Sequence, residues 1–467
     1  MGECYYCAIG IDKDEKAALK WFEAAAKQEN VTAQYMAGRL YAELSYNVPA
    51  ERWYQKAAEQ GSPDAQYELG KCYEIGYGVG MDETKAVEWY RKAAERGNAD
   101  AQYKLAECCY EGNGVEKDTT EAVKWYREAA EQGQMNAEYK LGVFYENGEI
   151  LEENVEEAVK WYRKAAEQGN ADAQYQLGDC YMVGRGVEED KGETIKWLRR
   201  AAEQGQRDAQ CWLGACYVEG IGVEENKNEG AKWYRNAAAL GHADAQYLFG
   251  DCCENGKGVE KDVVKAVKWY QKAAEQGSAN AQYKLGACYE NSEGVTKDIA
   301  EAIRWYRKAA EQGEKSALYK LGVCCENGEE VTKDMAEAIK WYQKAAEQGS
   351  ADAQYKLGVC YEKGEGVEKD AVEAAKWYQE AAEQGNKYAQ YNLAALYEKG
   401  QDALEMDKEK ALKWYRKAAE QGDEDAKRAI KEISAAEAIQ FTADMVQDMA
   451  ATLRDGASIL WKAMKKR

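Results

Sequence analysis

Apolar and polar positions follow a helical period along this chain, and the whole pattern returns every 36 residues. In residues 101–133, Ala101, Leu105, Cys108 and Cys109 fall three or four apart, which predicts one apolar stripe on a helix. Gly112-Asn113-Gly114 ends it. Glycine takes the left-handed conformation of a helix C-cap, and a second glycine lets the chain reverse tightly. A second helix opens at Asp118 with Glu121 three residues on, the spacing of an N-cap and capping box. The spacing recurs at Asp298/Glu301, Asp334/Glu337 and Asp370/Glu373. Ala122, Trp125, Tyr126, Ala129 and Ala130 give this helix its buried face, and Gly133 stops it. Each period therefore predicts a hairpin of a leading and a trailing helix, with a short link to the next.

Tryptophan marks the period. Trp53, Trp89, Trp125, Trp161, Trp197, Trp233, Trp269, Trp305, Trp341 and Trp377 are each 36 residues apart; Trp21 lies 32 before the first and Trp414 lies 37 after the last. A fixed period of this length in helical copies predicts a stack of helix pairs. Each unit packs only on its neighbours, so 467 residues require no single large core. Two small positions set how closely the helices approach. One is the Ala-Ala pair late in the trailing helix; the other is a mid-helix glycine in the leading one (Gly70, Gly142, Gly178, Gly214, Gly250, Gly286, Gly322, Gly358). Such a glycine costs about 1 kcal/mol against alanine, and close packing beneath the tryptophan is the expected compensation.

The pattern A-x-x-x-L-G-x-x-Y-x-x-G-x-G-V-x-x-D-x-x-x-A-x-x-W-Y-x-x-A-A-x-x-G resembles the Sel-one-like repeat (SLR) family, a relative of the tetratricopeptide repeat. It stands nearly intact at 65–97, 281–313 and 353–385 and extends over 4–430. The resemblance implies an all-α fold: a right-handed α/α superhelical solenoid of tandem helix-turn-helix repeats. The expected divisions are a partial repeat at 1–32, eleven tandem repeats at 33–422, a terminal leading-helix pattern running into a long capping helix at 423–455, and a short basic amphipathic tail at 456–467. Lys431 replaces the close-packing glycine there, which ends the stack, and Gly456 is expected to interrupt the last helix. The repeat before Trp53 has lost four residues and carries Val48-Pro49 in place of the glycine loop, which predicts a shortened connection.

Composition narrows the function. A formal net charge of −21 repels a phosphate backbone, so nucleic acid is not an expected partner. No stretch resembles a signal peptide or a membrane span, which predicts a cytoplasmic protein; membrane contact is expected, if anywhere, only at 457–467. Nine of the 14 cysteines share one repeat position that Leu40, Phe144 and Leu396 fill elsewhere, so it reads as a buried apolar slot holding reduced thiols. Cys4/Cys7 is a lone C-x-x-C without the second pair that zinc requires. The sole histidine, His242, falls in a link and is expected in solvent. The Gly-x-Gly-Val loops lack the Lys-Ser/Thr of a phosphate-binding loop. Asp12, Asp14 and Glu23 fail as a calcium loop because Ala17 stands where glycine is needed. No catalytic residue, metal site or cofactor is expected. The same resemblance offers one enzymatic alternative: cysteine-rich bacterial SLR proteins linked to β-lactam binding or hydrolysis. Those carry a disulfide-forming cysteine pair in each repeat, whereas most repeats here have one cysteine in a different slot.

Surface remains. In the related tetratricopeptide fold the leading helix lines the concave face, and by that resemblance its third, fourth and seventh positions point into a groove. Tyr103, Tyr139, Tyr175, Tyr247, Tyr283, Tyr319 and Tyr355 occupy the third position, and Lys104, Lys140, Lys284, Lys320 and Lys356 the fourth. Tyrosines interleaved with ammonium groups suit a protein or peptide with acidic or amphipathic segments. The alternative is that these tyrosines pack between repeats. One repeat has Cys211-Trp212 instead, and an exposed Trp212 is the expected anchor. The expected role is a protein-binding scaffold, with a bare structural spacer as the other non-enzymatic reading.

Overall fold

A computed structural model describes residues 2–7, 14–328, 330, 332–400 and 404–464. The side chains of Cys4, Ala457, Ile459, Leu460 and 462–464 are outside it, as are Asp12 and 465–467, so one member of the Cys4/Cys7 pair and most of the basic tail lie beyond what is described. The chain divides into two compact units, 1–242 and 243–467, built on one plan. In the first, for example, leading helix Ala99–Glu111 pairs with trailing helix Thr119–Glu131, and Met135–Asn147 follows with Val155–Gln168. In the second, Ala279–Asn291 pairs with Ile299–Glu311 and Lys315–Asn327 with Met335–Glu347. Among the described residues no β-strand forms.

The caps follow the sequence with one change. Asp118 accepts from the backbone N–H of Thr120 and Glu121, and Asp298 and Asp334 cap Glu301 and Glu337 in the same way. The second half of the capping box is not made. The N–H of Asp118 instead donates to the Cys109 carbonyl of the preceding helix at 2.8 Å, and Asp298 does the same to Tyr289. This bond ties the two helices of a hairpin and frees the glutamate for other partners. The second loop glycine also has a different reason from tight reversal. Gly186 has φ +69°, and a Cβ there would lie 2.6 Å from the Val155 carbonyl oxygen of the neighbouring hairpin.

The mid-helix glycines do not pack beneath tryptophan. They pack beneath the tyrosine that follows it. A Cβ on Gly70 would fall 2.6 Å from Cδ1 and Cε1 of Tyr90, and one on Gly250 would fall 2.7 Å from Cε1 of Tyr270. The tyrosines Tyr54, Tyr90, Tyr126, Tyr162, Tyr270, Tyr306, Tyr342, Tyr378 and Tyr415 are all at most 3% exposed. Two repeats carry alanine in place of this glycine, Ala106 and Ala394, and there the geometry changes. The buried ring meets the leading-helix tyrosine at 61° (Tyr103–Tyr126) and 59° (Tyr391–Tyr415), against 34–41° where glycine is present. One methyl group is thus absorbed by turning a ring.

Tryptophan does a second job. Trp89 and Trp161 are half-buried and pack against the hydrophobic cluster of the preceding hairpin, so they join repeats. Their outer faces are roofed by lysines one helical turn on: Lys92 lies 3.9 Å from the Trp89 ring centroid and Lys164 3.8 Å from that of Trp161.

The last helix differs from the expectation in two ways. Glu424–Met464 is one unbroken helix, so Gly456 does not interrupt it. It also covers the stack only with its first turns, where Ala426 and Ile433 are buried with Leu393, Trp414 and Tyr415. From Ser434 to Thr452 its residues are exposed apart from the partly covered Ala450, and Ile439, Phe441, Met445, Val446, Met449 and Leu453 lie 48–75% exposed.

Candidate functional site

Two bonded ladders line the leading helices, and the candidate site is where one of them fails. The first ladder is ionic. The buried tyrosine of each regular hairpin donates its hydroxyl to a glutamate near the end of its own leading helix: Tyr90 to Glu74 at 2.5 Å, Tyr270 to Glu254 at 2.7 Å, Tyr378 to Glu362 at 2.6 Å. The fourth-position lysine of the next leading helix closes on the same carboxylate: Lys104 on Glu74 at 3.3 Å, Lys284 on Glu254 at 2.8 Å, Lys320 on Glu290 and Lys356 on Glu326 at 2.9 Å. These lysine side chains are 29% exposed. Burial pushes Glu254 and Glu326 upward, but the hydrogen bonds from lysine and tyrosine outweigh it and hold both below the usual glutamate range. Where the fourth residue is Gln176, Arg185 takes the role and meets Glu146 at 2.8 Å. At Lys140 the preceding hairpin offers Tyr110 rather than a glutamate.

The second ladder is made of glutamines. Gln102 is buried; its amide donates to the Ala94 carbonyl at 3.2 Å, and its oxygen accepts from Gln132 at 2.6 Å. Gln174, Gln282 and Gln354 repeat both bonds. Two buried oxygens, on Gln66 and Gln210, have no partner. The reason is in the sequence: the donor position 30 residues on is Arg96 in one case and Leu240 in the other.

The structure places the candidate tyrosines half in and half out of the stack. Tyr103, Tyr139, Tyr247, Tyr283, Tyr319 and Tyr355 each pack on the buried tyrosine of their own hairpin, with centroids 5.8–6.0 Å apart. Lys104, Lys284, Lys320 and Lys356 already hold carboxylates of the chain. His242, expected in solvent, is 16% exposed and meets Asp208 at 3.1 Å.

One inner rung, shared by two successive hairpins, departs from the ladder at all three of its positions, as the first rung does with Phe22, Tyr6 and Met36. Leu198 replaces the buried tyrosine, Met182 the glutamate and Trp212 the lysine. Leu198 still sits over its glycine, 3.1 Å from where a Gly178 Cβ would be. Trp212 is 43% exposed, and its side chain reaches Tyr175. Tyr175 and Met182 are half-buried on the same hydrophobic cluster. An ionic row thus gives way to an apolar patch that carries an exposed indole. Spacing alone does not reveal it, but the concerted change of three residues 16 and 30 apart is visible once the ladder is known.

Among the described residues no group of three or more His, Cys, Asp or Glu could hold a metal ion. None of the 13 described cysteines forms a disulfide. Burial pushes the thiols of Cys72, Cys180 and Cys288 up to about 12.

Tandem helical hairpins, tied by ladders within each unit, define an α-helical repeat protein. The chain belongs to the Sel1 repeat family, which it matches in twelve segments: 1–30, 31–62, 63–98, 99–134, 136–170, 171–206, 207–242, 243–278, 279–314, 315–350, 351–386 and 387–423. It is similar to the protective antigen c5321 of uropathogenic Escherichia coli, which displays an SLR fold, at 36% identity over 90% of each chain with a TM-score of 0.82. It also resembles a Sel1 repeat protein from Oxalobacter formigenes, at 33% identity over 66% of this chain and 89% of that one, with a TM-score of 0.52. No curated protein matches. Among the described residues no helix is long and apolar enough to cross a membrane.

Proposed function

We propose that this chain is a non-catalytic scaffold that docks a protein or peptide partner on its leading-helix face, with Trp212 as anchor beside Tyr175 and Met182. Sel1 repeat proteins are in general interaction scaffolds, which supports the class. The observation that carries the site is the 43% exposure of Trp212 at a rung where Leu198, Met182 and Trp212 replace all three bonded residues. Lys104, Lys284, Lys320 and Lys356 are held by internal carboxylates, so a partner's acidic groups would have to compete for them. An amphipathic segment with an apolar side chain inserted beside Trp212 fits this surface better than a purely acidic one. Described cysteines that form no disulfide favour this reading over the disulfide-bearing β-lactam variety of the family.

The test uses peptides selected from a displayed random library on the full chain. Trp212→Ala is expected to weaken them roughly tenfold or more, as loss of a buried aromatic anchor does. The melting temperature should stay nearly unchanged, since the side chain is not core. Unchanged affinity, or a large loss of stability, would refute the site.

A further inference from the structure

We infer that the projecting part of the terminal helix, residues 434–464, pairs with the same segment of a second copy of the chain. Ile439, Val446 and Leu453 recur every seventh residue, and Met445 and Met449 lie beside them on one arc of the helix. Ala436, Ala443 and Ala450 form a parallel row of small residues at the same seven-residue spacing. A row of large side chains beside a row of small ones, both at period seven, is self-complementary: the large row of one copy seats on the small row of the other, as a two-fold contact requires. Five large apolar side chains on this arc, Ile439, Met445, Val446, Met449 and Leu453, each 48–75% exposed, place several hundred Å² of apolar surface there. That is the order of the ~800 Å² per partner that a standard interface buries. Between the large residues the arc is filled by uncharged Ala438 and Thr442, and the edge beyond the alanine row carries Gln440, Gln447 and the single charge of Arg454.

Charge also argues against a lipid surface as the occupant. Glu437, Asp444, Asp448 and Asp455 occupy the opposite side of the helix. Helices that lie on membranes carry lysine and arginine on that side.

The experiment is light scattering of the full chain after gel filtration across the micromolar range, on the wild type and on Val446→Glu/Leu453→Glu. Both residues are exposed, so the variant should keep the helical signal and the melting temperature of the parent. The expected result is a wild-type dimer that dissociates on dilution and a variant that is monomeric throughout. A wild type that is monomeric over the whole range would overturn the inference. So would a dimer that survives in the variant, or a wild-type chain that floats with phosphatidylglycerol vesicles while remaining monomeric.

Discussion

Raising the pH above 10 is expected to unfold this protein steeply. Nine buried tyrosines have hydroxyls held protonated well above the ordinary phenol range, in every case chiefly by burial, and in most also by a hydrogen bond to a glutamate. A group whose folded pKa is raised gives stability that is complete below its unfolded value, near 10 for tyrosine, and lost as pH climbs beyond it. Each such group removes about 1.4 kcal/mol per pH unit, so nine together remove on the order of 10 kcal/mol per unit. That exceeds the whole stability of a typical domain within about one unit. The buried thiols act in the same direction from about pH 9 upward. Phenolate absorbance and helical circular dichroism should therefore change together, in a narrow interval above pH 10. A gradual phenolate titration centred near 10 with the helix signal intact would contradict the burial of these rings.

Tyr306→Ala is expected to cost about 3–5 kcal/mol, the range for emptying a large buried aromatic site. The ring is 1% exposed, packs on Tyr283 at 5.8 Å, and sits where a Cβ on Gly286 would lie 2.7 Å away. Alanine leaves both a cavity and a glycine without the ring that offset its cost. Tyr306→Phe keeps the packing and removes only the hydroxyl donated to Glu290, which retains Lys320; about 1–2 kcal/mol is expected. Trp341→Ala should cost less than Tyr306→Ala, because that indole is only half-buried and is roofed by Lys344 at 4.7 Å. Urea unfolding of the three variants gives the order, and tryptophan loss exceeding tyrosine loss would reverse the assignment made here.

That assignment shows where the sequence could be read and where it could not. The hairpins, their caps and the buried cysteine slot follow from local periods, and local periods are printed in the chain. Which aromatic covers the glycine is not local. Trp305 and Tyr306 recur together at the same interval, and only the direction of each side chain from the trailing helix separates them. The ladders were hidden for a similar reason. In a repeat of fixed length every residue recurs with every other, so Tyr270, Glu254 and Lys284 show no special spacing until packing brings them together. The exception carried the signal: Leu198, Met182 and Trp212 depart in concert, as residues that share a contact should. The terminal helix failed differently. Its apolar face suggested cover over the stack, but a 41-residue helix is about 60 Å long and only its start meets the last hairpin. A single glycine costs a long helix about 1 kcal/mol, too little to break it at Gly456.

Rebuilding the ladder at the rung of Leu198, Met182 and Trp212 tests the account most directly. The variant Met182→Glu, Leu198→Tyr and Trp212→Lys supplies the three residue types of a complete rung such as Tyr270, Glu254 and Lys284, over a glycine, Gly178, that is already in place. Its melting temperature and its affinity for peptides selected on the parent chain are measured together. A variant at least as stable as the parent that no longer binds those peptides is the predicted outcome; one that is markedly less stable, or that binds as before, would contradict it.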